Sequence, residues 1–204
     1  MLAVTGGKGG SGKTTTALGV AGALAARRRR PLVVDCDLDA PNLHLRAEVP
    51  RDPGLDAPGS PADAATESPV LPGVDVLAAG DASATDLSAA LDALPNDRPV
   101  LLDCPAGASE AAARPLRTAD GCLVVATRGR ESVEDAAKTA AMARAIGTDV
   151  AAVAVTREAS VPRGLAAALD APAVVPVPAA RNPVRSRETD AAYAKLANCG
   201  EPNS

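Results

Sequence analysis

Gly7, Gly12, Lys13 and Thr14 are spaced G-x-x-x-x-G-K-[ST] within the run T-G-G-K-G-G-S-G-K-T-T at residues 5–15. Glycine has no Cβ, so a loop this rich in it can turn successive backbone N–H groups inward around an anion. A helix beginning at the end of the loop aims the positive pole of its dipole at the same point. The anion served by this spacing is a phosphate chain. The backbone of Gly7, Gly9, Gly10, Ser11 and Gly12 would form the cradle, the Lys13 ammonium would neutralise the outer phosphates, and the Thr14 hydroxyl, with Thr15 beside it, would face a magnesium ion. Lys8 adds a second cation at the front of the loop. Of 21 basic residues only Lys8, Lys13, Lys138 and Lys195 are lysines. Two of the four standing in one loop indicates a use for a compact ammonium where a planar guanidinium fits poorly.

Two more stretches put acids where a parallel sheet presents them. Apolar residues 32–34 run into D-C-D-L-D-A-P-N at 35–42, and apolar residues 100–102 run into D-C-P-A-G at 103–107. Ligands in open α/β sheets lie beyond the C-terminal ends of the strands. Asp103 is the expected magnesium-shell carboxylate, reaching the ion through water, and Gly107 the residue whose amide approaches the last phosphate. Asp35 and Asp37 are placed to order the metal's waters or to orient an attacking water. Asp39 is read as the cap of the next helical turn. His44, the only histidine, is read as structural.

These residues need strands and helices in strict alternation to bring them together. Hydrophobic patterning places strands at 2–5, 32–34, 74–80, 100–103, 122–126, 150–156 and 173–176, and helices at 13–28, 81–94, 109–117, 131–146, 162–169 and 190–197. Arg27–Arg30 is expected to close the first helix, where cations suit the dipole, before Pro31 stops it. The repeat predicts a three-layer α/β/α arrangement around a mostly parallel sheet. Residues 1–204 are expected to form a single domain. The stretch 48–72 is rich in Pro, Gly, Ala and Asp and is expected to be a flexible loop without regular structure.

Composition narrows the partners. The formal charge is −4 and there is no Phe or Trp and one Tyr, Tyr193. Broad electrostatic binding of DNA or anionic lipid is therefore not expected, nor is base stacking on aromatic platforms. No apolar window is long enough to span a bilayer and no leader pattern opens the chain, so a cytoplasmic location is expected. Cys36, Cys104 and Cys122 fall in or beside apolar strands and are read as small, reduced core residues, and Cys199 lacks a C-x-x-C companion.

K-G-G-S-G-K-T-T resembles the deviant Walker A motif of the MinD/ParA family of P-loop ATPases. D-x-D-x-x-x-x-N at 35–42 resembles the family's switch I, and D-x-P-A-G at 103–107 its Walker B and switch II. The specific motifs cover about residues 1–110. The resemblance implies a P-loop NTPase fold that binds ATP and Mg²⁺, hydrolyses ATP slowly to ADP and phosphate, and pairs with a second copy in its ATP state. It implies that Lys8 reaches across that interface to the partner's ATP and that Asp37 positions the hydrolytic water. Thr14 and Asp103 would serve the metal, Asp35 the metal shell or the loop, Asn42 the switch, and Gly107 the γ-phosphate. Such ATPases position or partition a cargo, as in cell division; here the cargo or regulator would be an unknown protein.

The chain also departs from the family. Relatives usually end the strand at 150–156 with an asparagine that reads adenine; here Thr156-Arg157 stands instead, and Arg157 is the candidate to stack on the base. Pro176 falls where the base-contacting loop is expected. The cysteine clusters of relatives with an inserted ferredoxin domain are absent, as is the C-x-x-C of an Mrp-type iron–sulfur carrier. An ATP-dependent small-molecule ligase of the same superfamily is the other alternative. The C-terminal segment lacks the basic amphipathic pattern of bacterial MinD, so no direct membrane anchor is expected.

Overall fold

Every sheet-forming residue of the first strand is buried, and so is every residue of most strands that follow. Strands covered on both faces are what crossover helices produce, and the computed structural model, which describes residues 1–161 and 163–200, has that arrangement. In chain order the elements are β1 (Leu2–Thr5), α1 (Lys13–Ala25), β2 (Leu32–Asp35), α2 (Leu43–Ala47), α3 (Pro61–Ala64), β3 (Thr66–Glu67), β4 (Asp75–Leu77), α4 (Ala84–Asp92), β5 (Val100–Asp103), α5 (Glu110–Thr118), β6 (Gly121–Ala126), α6 (Arg130–Ala145), β7 (Val150–Thr156), α7 (Leu165–Leu169), β8 (Val174–Val177), a 3-10 turn at Pro183–Arg185, and α8 (Arg187–Gly200). Among the described residues they form one sheet in the order β3-β4-β2-β5-β1-β6-β7-β8, parallel throughout except for the β3–β4 pair.

Alternate residues of each strand feed two cores. Val4, Leu123 and Val125 pack with α1 and α8; Ala3, Cys122 and Val124 pack with α5, α6 and α7. Because the chain holds almost no aromatics, the helices come close on small side chains. Gly19 of α1 sits against Tyr193 of α8, and a Cβ at Gly19 would lie 2.4 Å from the ring.

Four expectations differ from what is observed. The first helix ends at Ala25, not near Arg28, and Arg28 and Arg30 adopt left-handed φ values of 60° and 45°. The arginine run therefore follows the helix instead of completing its last turn. Arg27 donates to Asn198 Oδ1 and to the carbonyl of Ala194 in α8, while Arg30 pairs with Asp75 at 3.5 Å. The stretch 48–72 carries regular structure, α3 and the edge strand β3, and a bridge from Gly54 to Ala78. Val49, Leu55, Ala64 and Leu71 are buried and dock the stretch on the domain, and Ser68 Oγ donates to the carbonyl of Ala47 at 2.7 Å. The last helix, expected at 190–197, runs from Arg187 to Gly200, and Ala192, Tyr193, Leu196 and Ala197 cover α1 with its apolar face. The short helix expected from Pro162 runs from Leu165; Pro162 itself, like 201–204, lies outside the described residues.

A Gly19→Ala substitution sets two effects in opposition. Alanine raises helix propensity by about 0.5–1 kcal/mol, but the added methyl has no room beside a buried ring, and overpacking costs about 1–3 kcal/mol. The second effect is expected to win. Urea unfolding should give a lower midpoint with an unchanged slope.

Candidate functional site: a phosphate loop flanked by two buried carboxylates

Four glycines of the loop after β1, Gly6, Gly7, Gly10 and Gly12, stand where a side chain would clash or strain the backbone. A Cβ on Gly6 would lie 2.4 Å from the Val125 carbonyl oxygen, and one on Gly7 would lie 2.2 Å from Asp135 Cβ on α6. Gly10 and Gly12 take left-handed φ values of 75° and 101°. Gly12 is the N-cap of α1, so the free N–H groups of the first turn open directly onto the loop. Gly9, Gly10 and Ser11 continue the loop, and Thr14 and Thr15 follow Lys13 in the first turn of α1. Lys13, the first residue of α1, is 9% exposed.

Asp35 and Asp103 face this loop as register partners at the ends of neighbouring strands. Burial pushes the Asp103 carboxyl up to about 7, against a hydrogen bond with Thr14 and the charge of Lys13, while the neighbouring Asp35 adds to the rise. Its Oδ1 is buried without a partner. Burial likewise pushes Asp35 up to about 6. Asp35 is fully buried and both its oxygens accept from the backbone, Oδ1 from Asp37 N–H at 3.2 Å and Oδ2 from Leu43 N–H at 3.1 Å. Of the two duties expected of Asp35, it visibly performs the second: it anchors the loop and caps α2. Asp39, expected as that cap, is exposed and does not do so, because Asp35 reaches the Leu43 amide from the strand end. Asp37 is half-buried, and its Oδ1 accepts from Ala40 N–H at 3.1 Å. Asn42 Nδ2 donates to the Ala40 carbonyl.

The unpaired Asp103 Oδ1, the adjacent Thr14 hydroxyl and the hard oxygen character of both fit a magnesium ion. Oxygen donors beside a phosphate cradle are what that ion takes, and a cation there would relieve the buried charge.

Gly107, with φ 89°, donates its N–H to the Gly6 carbonyl at 3.0 Å, which ties the turn after β5 to the base of the loop. Pro176 is not in a loop. It lies within β8, paired in register with Val155, and the strand continues to Val177. A proline is tolerated there because β8 is the sheet edge and pairs on one side only. The loop expected at 176 therefore starts two residues later. Arg157 bends back with a left-handed φ of 63°, and its Nη2 donates to the Gly10 carbonyl at 2.8 Å.

Sequence reasoning missed Glu131. It stands in the first turn of α6 and accepts from Lys8 Nζ at 2.9 Å. Nothing in its local sequence marks it; only the packing of α6 on Gly7 brings it there. A hollow of about 350 Å³ opens between the loop and α6, lined by Lys8, Ser11, Thr127, Arg130, Glu131 and Arg157 among others. A larger one, about 650 Å³, lies at the other end of the strands beside Met1, Val100 and Asp120, and is lined by none of the expected site residues.

A glycine loop joining the first strand of a parallel sheet to its helix, with strand-end carboxylates beside it, defines a P-loop nucleotide-binding domain. The chain belongs to the family of the CobQ/CobB/MinD/ParA nucleotide binding domain, whose model matches residues 2–171. It is 32% identical over 167 residues to an uncharacterized ATP-binding protein of Methanocaldococcus jannaschii, a match that covers 76% of this chain and 63% of that protein. The chain thus spans less than two thirds of that relative's length. Solved structures with the same fold include the cell division ATPase MinD of Pyrococcus furiosus, with TM-score 0.83, 23% identity, and coverage of 97% of this chain and 96% of that one. They also include the septum site-determining protein MinD of Pyrococcus horikoshii complexed with Mg-ADP, with TM-score 0.83, 21% identity, and coverage of 96% and 93%.

The Asp103 carboxyl has a consequence for stability. Its pKa is raised on folding from 3.8 to about 7, so between those values the folded state holds a proton that the unfolded chain has released. Stability contributed at low pH is lost as pH rises through that window. Asp103→Asn removes the penalty. The nucleotide-free variant should match wild type near pH 4 and melt higher at pH 8, by about 2–4 °C for each kcal/mol relieved. Equal shifts at both pH values in scanning calorimetry would refute this origin. The exposed acids that titrate in the opposite sense are common to both proteins and cancel.

Proposed function

We propose that this chain is a Mg-ATP-dependent switch: two copies pair around ATP, slow hydrolysis separates them, and the paired state positions or partitions a protein cargo. The observation that carries the reading is the division of labour between two lysines of one loop. Lys13 is buried at the helix start, whereas the Lys8 side chain is 55% exposed and reaches out to Glu131, itself 80% exposed. Lys8 is therefore held on the outer face of the loop, where a second copy could meet it. An ammonium there supports use in trans, on the partner's phosphates.

Each residue then has a part in converting ATP and water to ADP and phosphate. The loop from Gly7 to Gly12 and the first amides of α1 bind the phosphates. Lys13 neutralises the outer phosphates and Lys8 adds charge from the opposite copy. Thr14 and Asp103 would hold magnesium, which supplies charge neutralisation at the β- and γ-phosphate oxygens. Asp37, half-buried at the mouth of the site, orients the attacking water. Gly107 would turn its amide from Gly6 to the γ-phosphate. The whole of residues 1–204 would act as a single domain.

The buried thiols favour this reading over an iron–sulfur carrier. Cys36 and Cys104 are buried and pushed well above the usual thiol range, and Cys122 is pushed up to about 12, all chiefly by burial. A cluster needs thiolates at an accessible site. The net charge of −4 disfavours direct DNA binding, and no helix among the described residues is long and apolar enough to cross a membrane.

Mass in solution tests the switch. Wild type should be monomeric with ADP and dimeric with ATP. Asp37→Ala should slow hydrolysis by at least about a hundredfold and trap the dimer. Lys8→Ala should still bind nucleotide, within about fivefold of wild type as befits an exposed charge, yet stay monomeric. A wild-type mass indifferent to ATP would sink the proposal. Capture experiments on the trapped dimer would then identify the cargo.

A further inference from the structure

The crest of the phosphate loop is held by very little of its own. A Cβ built on Gly9 or Gly10 would meet nothing within 4 Å, so no packing fixes the peptide planes there. A long bond of 3.4 Å, from Ser11 N–H to the Lys8 carbonyl, spans the turn. Glycine peptides left to themselves rotate, and a cradle whose N–H groups sampled several directions would have to be ordered at the moment of binding.

Two side chains at the end of β7 restrain it. Thr156 Oγ1 donates to the Ser11 carbonyl at 2.7 Å, and Arg157 Nη2 donates to the Gly10 carbonyl at 2.8 Å. Thr156 is 8% exposed, and a Cβ added at Gly12 would lie 3.3 Å from its methyl, so the side chain stands close beside the loop. In a trans peptide the C=O and the next N–H point opposite ways. The Gly10 carbonyl held in this way opposes the Ser11 N–H, which stays on its long bond to the Lys8 carbonyl, and holding the Ser11 carbonyl toward β7 turns the Gly12 N–H away from β7. That is the side of β1 on which β5 and Asp103 lie. Arg157 makes its bond from a left-handed backbone conformation that an arginine adopts only against resistance. Strain of this kind marks places where geometry is being enforced.

We propose that Thr156 and Arg157 are positioning residues that preset the phosphate loop. They hold its carbonyls outward so that its amides face the anion before any nucleotide arrives. This assigns both residues to the loop and not to the base, and it rests on the phosphate-loop reading of residues 6–14.

The test compares Thr156→Val, Thr156→Ser and Arg157→Asn with wild type. Valine keeps the shape and loses the hydroxyl, serine keeps the hydroxyl, and asparagine tolerates the left-handed backbone. Mg-ADP affinity is measured by calorimetry, and backbone amide exchange at residues 9–12 is measured without nucleotide. Thr156→Val and Arg157→Asn should each bind about five- to tenfold more weakly and should exchange faster in the loop, with the strands protected as before. Thr156→Ser should restore both values. Wild-type affinity and wild-type exchange in the first two variants would overturn the proposal. So would weaker binding with unchanged exchange, because the side chains would then touch the nucleotide and not the loop. Should Thr156→Val fail to fold, the exposed Arg157→Asn decides alone. A wild type that bound no Mg-ADP would overturn the phosphate-loop reading itself, and this proposal with it.

Discussion

Two carboxylates, Asp35 and Asp103, stand side by side on neighbouring parallel strands and are shielded from water. Like charges at that separation in a poorly polarisable interior repel strongly, and each also loses its hydration. The fold answers the two differently. Asp35 is satisfied internally by the amides of Asp37 and Leu43 and so becomes the anchor of the segment after β2. Asp103 keeps one oxygen without a partner. The site is left with a deficit of positive charge at a single point, beside a glycine loop that itself attracts anions. A metal ion and a phosphate chain bound together would satisfy both at once; either alone would leave the other half unbalanced.

The loop that receives the phosphate is fixed from several sides. Gly6 and Gly7 abut Val125 and Asp135 too closely for any side chain, the turn at Gly107 is tied back to Gly6, and the crest is tethered from β7. The elements that carry these contacts come from distant parts of the chain, so the parallel sheet is the device that assembles them. The helix joined directly to this loop, α1, is covered in turn by α8 through Tyr193 and Leu196.

Much of the site could be read from the chain because its chemistry is local. The spacing of Gly7, Gly12, Lys13 and Thr14 demands a strand before it and a helix after it, and both are present. Asp35 and Asp103 end apolar runs, and strand ends are where a parallel sheet exposes such groups. What escaped was non-local. The composition of 48–72 is that of a loop, but Val49, Leu55, Ala64 and Leu71 are spaced irregularly, with no period to announce that each is docked. The arginine run fitted a helix end on charge alone, yet α8 and β4 offered its members better partners. Pro176 seemed to end a strand, and only an edge position lets the strand run through it. Glu131 and the hydroxyl of Thr156 acquire meaning from neighbours more than a hundred residues away.

With neither Phe nor Trp in the sequence, Tyr193 is the single ring of the chain that absorbs near 280 nm, buried at the seam of α1 and α8 with its hydroxyl pushed up to about 12 by burial. The molecule is consequently almost dark at 280 nm, and concentrations taken from absorbance would be badly misjudged. The same poverty makes it a one-chromophore protein: near-ultraviolet dichroism and intrinsic emission both come from a lone phenol beside the helix that begins at the phosphate loop, a built-in optical gauge of that helix requiring no label.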